Sequence, residues 1–106
     1  KYSVECYLQR ANRFRSDDAM AKMIYANFLA KNKRGAEAIK LLDEVVELGE
    51  ENANLYYNMG LIYLDLNQYE KALNYAHLAY RMGFPLSGLR DRLKRLNKWS
   101  EVPVEN

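Results

Sequence analysis

The sequence predicts an all-α protein built as a stack of antiparallel helix pairs closed by a C-terminal capping helix. Three observations support this fold class. Small and apolar residues recur at three- and four-residue offsets, as on the buried face of an amphipathic helix. The same pattern returns with a period of about 34 residues, which is typical of stacked helical repeats. No segment shows the alternation of β-branched and polar residues that a half-buried strand requires. We therefore expect six helices and no sheet.

The repeat is visible when the sequence is shifted against itself so that Val4 aligns with Ala38 and Ala38 with Ala72. Positions that come into register are small or apolar in each copy. In the list that follows, the first four groups belong to second helices and the last three to first helices. The aligned positions are Val4/Ala38/Ala72, Leu8/Leu42/Ala76, Ala11/Val45/Ala79, Phe14/Leu48/Met82, Ala21/Leu55/Leu89, Tyr25/Met59/Leu93 and Phe28/Ile62/Leu96. This regularity predicts a single domain, 1–106.

The register divides that domain into segments. We expect the second helix of a truncated repeat, two complete repeats, a capping helix and a frayed tail, at 1–18, 19–52, 53–86, 87–99 and 100–106 respectively. The chain opens at Lys1, and we interpret it as part of a longer protein.

Residues at the segment boundaries support this division. Asp18 and Asn52 stand where a side-chain oxygen would cap the start of a first helix. Gly49 and Gly83 stand where a left-handed residue would end a second helix. These four residues predict the start of each first helix and the end of each second helix.

The last helix departs from the repeat. Lys94 takes the position that Gly60 and Ala26 hold in the two complete repeats, where small residues let the paired helices approach. A lysine at that position indicates that no second helix follows. We therefore expect an array that ends in a cap with a polar outer side.

Composition disfavours several classes of function. The 106 residues carry a formal net charge of +2, and no run of 18 apolar residues is present, so no membrane span is expected. Cys6 and His77 are the only residues of their types, too few for a disulfide or a Cys/His zinc site. Neither has an identifiable partner for nucleophilic or acid–base chemistry. We expect no enzyme activity, no metal and no cofactor.

The best copy of the repeat carries a recognisable motif. It places Met59-Gly60, Tyr63, Ala72, Ala76 and Ala79 at the characteristic positions of a helical-pair repeat with this period, with Tyr56 in the place of a tryptophan and Pro85 one residue late. This pattern resembles the tetratricopeptide repeat family, and the resemblance covers roughly residues 4 to 99. It implies a right-handed superhelical stack (an α-solenoid). In this family the first helices line a concave groove that binds an extended peptide or a partner helix.

The resemblance also implies which residues line that groove. They are Met23, Asn27, Lys31, Tyr57, Asn58, Leu61, Asp65, Arg92 and Arg95. We expect Tyr57, Asn58 and Leu61 to form an exposed centre with a polar rim. Asn27, Asn58 and Arg92 match positions with which chaperone-binding members clamp a C-terminal carboxylate, but Met23 and Gly88 replace the lysines that such a clamp needs. The two asparagines have an alternative role in hydrogen bonding between adjacent helices.

The alternative to a protein-binding scaffold is binding of an anionic partner. The last helix carries a cluster of basic residues, Arg90, Arg92, Lys94, Arg95 and Lys98, that could bind nucleic acid or an anionic membrane. The isoelectric point of about 8.7 and the acidic residues between 43 and 51 argue against a nucleic-acid surface. We therefore expect a protein or peptide partner and no nucleic acid.

The first helix suggests self-association. Val4, Leu8 and Ala11 stand at positions that normally pack on the first helix of their own repeat, which is not in this sequence. An apolar stripe left open in this way is an association site. We expect a second copy of the chain to cover it.

Overall fold

Residues 4 to 100 of the protein are described by a computed structural model, and within them there are six α-helices and no strand. The helices are α1 (Val4–Phe14), α2 (Ala19–Lys31), α3 (Gly35–Leu48), α4 (Ala53–Asp65), α5 (Tyr69–Arg81) and α6 (Gly88–Arg95). The expectation of an all-α fold with six helices is therefore confirmed. Of the tail predicted at 100–106, all but Ser100 lies outside the described residues.

The predicted caps are present at the starts of α2 and α4. The Ala21 N–H donates to Asp18 Oδ1 at 3.1 Å, and the Leu55 N–H donates to Asn52 Oδ1 at 3.1 Å. Each bond satisfies a backbone donor that has no partner within the helix, and such a cap typically contributes about 1 kcal/mol.

The predicted left-handed glycines are also present. Gly49 follows α3 with φ of 70°, and Gly83 follows the C-cap of α5 with φ of 86°. Lys33 and Asn67, in the turns between paired helices, adopt the same conformation, with φ of 61° and 63°. These turns reverse the chain within a few residues, so the two helices of each pair lie antiparallel.

The capping helix is shorter than the sequence indicated. The prediction of 87–99 is wrong at its C-terminal end, because α6 ends at Arg95. Asn97 adopts a left-handed conformation with φ of 59°, and the Lys98 N–H donates to the Leu93 carbonyl oxygen at 2.8 Å. Asparagine tolerates this conformation better than most residues, and the bond closes the helix about one turn early.

The chain divides into two compact units, of which the first spans residues 1–50 and holds α1, α2 and α3. α2 and α3 pack closely as a pair, and α1 packs on α2. Ala26 and Ala38, on the two helices of the pair, are fully buried. Leu8 is also buried, so the expectation that it belongs to an open stripe is wrong. α1 turns Leu8 inward and leaves Tyr7 outside.

A buried lysine links the three helices of this unit. Lys22 on α2 is only 6% exposed, and its Nζ donates to Asn12 Oδ1 on α1 at 3.1 Å and to Glu44 Oε1 on α3 at 2.8 Å. Lys22 stands one repeat period before Tyr56, and its charge has partners on both neighbouring helices. Burial is tolerated because the ammonium group is paired and hydrogen-bonded.

The second unit spans residues 51–106 and holds α4, α5 and α6. α4 and α5 form the pair, and α6 packs on both through Leu89 and Leu93, which are fully buried. A Cβ on Gly60 would lie 3.4 Å from the Ala72 carbonyl oxygen and only 2.5 Å from Leu89 Cδ2. The predicted approach of Gly60 to Ala72 is therefore confirmed, and the closest neighbour, Leu89, was not foreseen.

Aromatic rings fill the space around α5. The Tyr63 and Tyr75 rings stack with centroids 5.5 Å apart. Near the end of the described chain, the Trp99 ring stacks on His77 at 4.7 Å and meets the edge of Tyr80 at 6.3 Å. His77 Nε2 lies 2.6 Å from the Ser100 carbonyl oxygen, to which it donates. These contacts hold residues 99 and 100 against α5.

We predict that Gly60→Ala destabilises the protein by about 1 to 3 kcal/mol, because the added methyl overlaps a buried side chain. Leu89→Val removes the overlapping δ carbon, so Gly60→Ala should cost much less in that background. A double-mutant cycle on unfolding free energies in urea measures the difference. Equal costs in both backgrounds would show that Leu89 is not the reason for glycine at this position.

We predict that Glu44→Ala destabilises the protein by about 1 to 2 kcal/mol, because it leaves the buried Lys22 ammonium without its carboxylate. The effect is smaller than for a fully buried pair because the Glu44 side chain is 40% exposed. Adding Lys22→Met should recover most of the loss. Urea unfolding followed by circular dichroism tests both variants, with the exposed Glu47→Ala as a control that should stay within about 0.5 kcal/mol of the parent.

Candidate functional site

The first helix of each pair has an outward face. On α2 this face consists of Met20, Ile24, Asn27 and Lys31, whose spacing of four, three and four residues places them on one side of the helix. Ile24 and Lys31 are exposed, and Met20 and Asn27 are partly exposed. We call these four residues the α2 stripe.

The same positions are outward on α4. Asn54, Asn58, Leu61 and Asp65 lie one repeat period after the members of the α2 stripe, and all four are exposed or partly exposed. We call them the α4 stripe. Five residues predicted to line a binding surface lie on the two stripes: Asn27, Lys31, Asn58, Leu61 and Asp65. Met20, Ile24 and Asn54 were not predicted, although the helical period extended towards the start of each helix indicates them.

The α4 stripe is internally hydrogen-bonded at its first turn. Asn58 Nδ2 donates to the Asn54 carbonyl oxygen at 2.8 Å and to Asn54 Oδ1 at 2.9 Å. These bonds fix the orientation of the Asn58 amide along α4. The alternative expectation, hydrogen bonding from Asn58 to an adjacent helix, is wrong for this donor because both of its acceptors lie on α4.

Two of the predicted residues in the second unit meet each other. Arg92 Nη2 on α6 donates to Asp65 Oδ1 on α4 at 2.9 Å. The guanidinium that would clamp a carboxylate is thus already bound to a carboxylate of the same unit. Arg95, one turn later on α6, is exposed and forms no ion pair with any residue from 4 to 100.

Tyr57 is not an exposed contact residue, and that expectation is wrong. Its side chain is only 8% exposed, its ring stacks on Phe84 with centroids 4.4 Å apart, and the Tyr80 ring meets it edge-on at 6.4 Å. A Cβ on Gly88 would lie 2.8 Å from the Tyr57 hydroxyl. Met23 holds the equivalent position on α2 and is also buried, at 6% exposed. Both residues belong to the cores of their units.

The basic cluster at the end of the chain is largely engaged by its own unit. The Arg90 guanidinium lies over the Tyr80 ring at 5.4 Å, and the Lys98 ammonium lies over the Tyr69 ring at 5.1 Å. Together with the Arg92–Asp65 ion pair, these contacts occupy three of the five cations. Lys94 and Arg95 are the exposed members without such a contact among the described residues.

Shifted pKa values occur where α1 meets the α2–α3 pair. Arg34 Nη1 donates to Glu5 Oε1 at 2.7 Å, and its other nitrogens donate to both oxygens of Glu37 at 2.8 Å. The hydrogen bond from Arg34 lowers the pKa of Glu5 and the pKa of Glu37. Burial raises the pKa of Tyr25, whose hydroxyl donates to Glu5 Oε2 at 3.2 Å. The cluster fastens one end of α1.

In the part of the chain that the structure describes, no group of three or more His, Cys, Asp or Glu side chains is arranged to hold a metal ion. Within the same residues, no helix combines the length and apolarity needed to cross a bilayer. Comparisons with known protein families, with curated proteins and with solved structures found no match.

We predict that the contribution of Glu5 to stability depends on pH. Because Arg34 lowers the folded-state pKa of Glu5, this contribution is present above the ordinary carboxyl range and is lost as pH falls through the folded-state pKa. Glu5→Gln should therefore be less stable than the parent at neutral pH, and the difference should shrink at roughly pH 3. Urea midpoints at the two pH values measure this, with Glu47→Gln as the control. A difference that stays constant with pH would contradict the prediction.

Proposed function

We propose that this chain is a tetratricopeptide-type helical repeat protein that binds a peptide or helix of a partner protein through the α2 and α4 stripes. The observation that carries the proposal is the repetition of the outward face. The same four positions are open in both pairs, one repeat period apart, while Met23 and Tyr57 beside them are buried. The right-handed superhelical arrangement of the pairs stays a prediction from the resemblance.

Each stripe offers chemistry that suits a peptide. Ile24, at 47% exposed, and Met20 offer apolar contact on α2. Asn54 and Asn58 offer amide groups on α4, and an amide can both donate to and accept from a peptide backbone. Leu61 adds an apolar contact in the middle of the α4 stripe. An apolar side chain flanked by backbone groups is therefore the element of a partner that these stripes favour.

The charges at the ends of the stripes add a further preference. Lys31 ends the α2 stripe, and the Asp65–Arg92 ion pair ends the α4 stripe. Because Arg92 is already neutralised by Asp65, we do not propose a carboxylate clamp on α6. Specificity would come from the apolar contacts.

Binding of nucleic acid or an anionic membrane through α6 is less favoured than protein binding. Arg90 and Lys98 lie on tyrosine rings and Arg92 is paired with Asp65, which leaves Lys94 and Arg95 as the cations available for phosphate. Two cations are few for a surface whose affinity depends on charge neutralisation. The expectation that the chain is not an enzyme stays a prediction.

We predict that peptides selected on this protein from a displayed random library bind through the stripes. Ile24→Ala and Leu61→Ala should each weaken the selected peptides by about 1 kcal/mol or more, as truncation of central contact residues does. Isothermal titration calorimetry measures the change. Leu48→Ala, which truncates an exposed apolar residue on α3, is the matched control and should leave the affinity unchanged.

Three results would reject the proposal. One is a selection that enriches no peptide. Another is a set of peptides whose affinity is unaffected by the stripe variants. The third is enrichment of acidic sequences whose binding falls steeply with salt and is lost in Lys94→Ala with Arg95→Ala, which would favour the anionic partner instead. Unchanged circular dichroism of each variant shows that the loss is local.

A further inference from the structure

The outer side of α1 is an unpartnered apolar face. Val4, Tyr7 and Phe14 are 62%, 70% and 81% exposed, and Ala11 is partly exposed. Their spacing of three, four and three residues places them on one side of the helix. The contact positions of a coiled coil have the same spacing. Leu8, on the neighbouring flank of α1 beside Val4 and Ala11, is buried.

The shape of this face suits a second helix. Tyr7, Arg10, Ala11 and Phe14 line an open cavity of about 620 Å³. They stand at positions i, i+3, i+4 and i+7, which is the set of four residues that surrounds an inserted side chain when two helices pack. An adjoining cavity of about 310 Å³ is lined by Arg10, Arg13 and Phe14. We call the two cavities together the α1 recess.

The charge of the recess selects the kind of helix. Arg10 and Arg13 line it and Arg15 follows α1 directly, and none of the three forms an ion pair with any residue between 4 and 100. The carboxylate of α1, Glu5, is bound by Arg34. Two copies of α1 facing each other would bring these arginines together, and like charges at such an interface oppose docking. The recess therefore favours a helix with an apolar residue flanked by carboxylates.

The chain itself carries such a helix face. On the outer side of α3, Val46 is 51% exposed, and Asp43 and Glu47 are exposed beside it, three residues before and one residue after. The remaining carboxylate of that part of α3, Glu44, is bound to Lys22. The exposed α3 face thus offers what the α1 recess favours, an apolar residue beside carboxylates.

We propose that the α1 recess of one copy of this chain receives the outer face of α3 of a second copy. Val46 inserts between Tyr7 and Phe14 above Ala11, and Asp43 and Glu47 face Arg10 and Arg13. The two surfaces differ, so association is head-to-tail, and each copy offers one recess and one acidic face. Neither surface includes a residue of the α2 or α4 stripe, so this inference does not depend on the proposed function.

The test uses charge reversal on each surface separately. Arg10→Glu with Arg13→Glu alters the recess, and Asp43→Lys with Glu47→Lys alters the acidic face. The native chain should show a mass that rises with concentration in sedimentation velocity and falls with added salt. Each double variant alone should associate at least about tenfold more weakly than the native chain, as reversed charges at an interface do.

Mixing the two double variants identifies which surfaces meet. The recess variant then carries carboxylates on both surfaces and the acidic-face variant carries cations on both, so the two variants should associate with each other although neither associates well alone. A chain that carries all four substitutions should regain association, because both signs are exchanged. Glu70→Lys with Lys71→Glu, on α5, is the control and should associate like the native chain.

Two outcomes would overturn the proposal. The first is a native chain that stays monomeric at every concentration. The second is loss of association in the recess variant alone, with the acidic-face variant associating normally and no association between the two variants in the mixture. That pattern would indicate a symmetric contact between two α1 helices. Far-UV circular dichroism of every variant must match the native chain, so that loss of association is not loss of fold.

Discussion

The close approach of the two helices in each pair is the constraint on which the other features depend. Small residues make it possible: Ala26 and Ala38 are fully buried in the first unit, and Gly60 and Ala72 are buried in the second, where a Cβ on Gly60 would lie 3.4 Å from the Ala72 carbonyl oxygen. Once a helix is held this closely on one side, its other positions are divided into inward and outward sets. The stripes on α2 and α4 are the outward sets, and they are open for this reason.

Polar contacts decide how α1 is oriented. Glu5 and Asn12 are two turns apart and lie on the same side of α1 as Leu8, because they stand three residues before and four residues after it. Glu5 is bound by Arg34 and Tyr25, and Asn12 accepts from Lys22. Tyr7 and Phe14 are left outside because these bonds hold the Glu5 and Asn12 side against the rest of the unit. The open face of α1 therefore follows from specific pairings rather than from apolarity alone.

Local signals in the sequence predicted the helices well and the exposure of single residues less well. Asp18, Asn52, Gly49 and Gly83 were identified correctly because a cap or a left-handed turn depends on one residue and its neighbours. The end of α6 was predicted wrongly because Asn97, whose left-handed conformation closes the helix, is not at a turn position of the repeat.

Exposure was harder to predict because it depends on rings from other helices. Tyr57 and Asn58 are neighbours in the sequence, and the helical period alone does not show which of the two side chains is exposed. Tyr57 is buried because the Phe84 and Tyr80 rings cover its ring. The orientation of α1 was missed for a related reason, since Arg34 and Lys22 lie far from it in sequence and leave no periodic pattern.

The packing of Trp99 on His77 and Tyr80 has a practical consequence. Trp99 is the single tryptophan of the chain and lies in the second unit, so fluorescence excited at the red edge of indole absorption reports on that unit alone. Far-UV circular dichroism reports on the helices of both units. Comparing the two signals during unfolding distinguishes a chain that melts as one cooperative body from one whose halves melt separately.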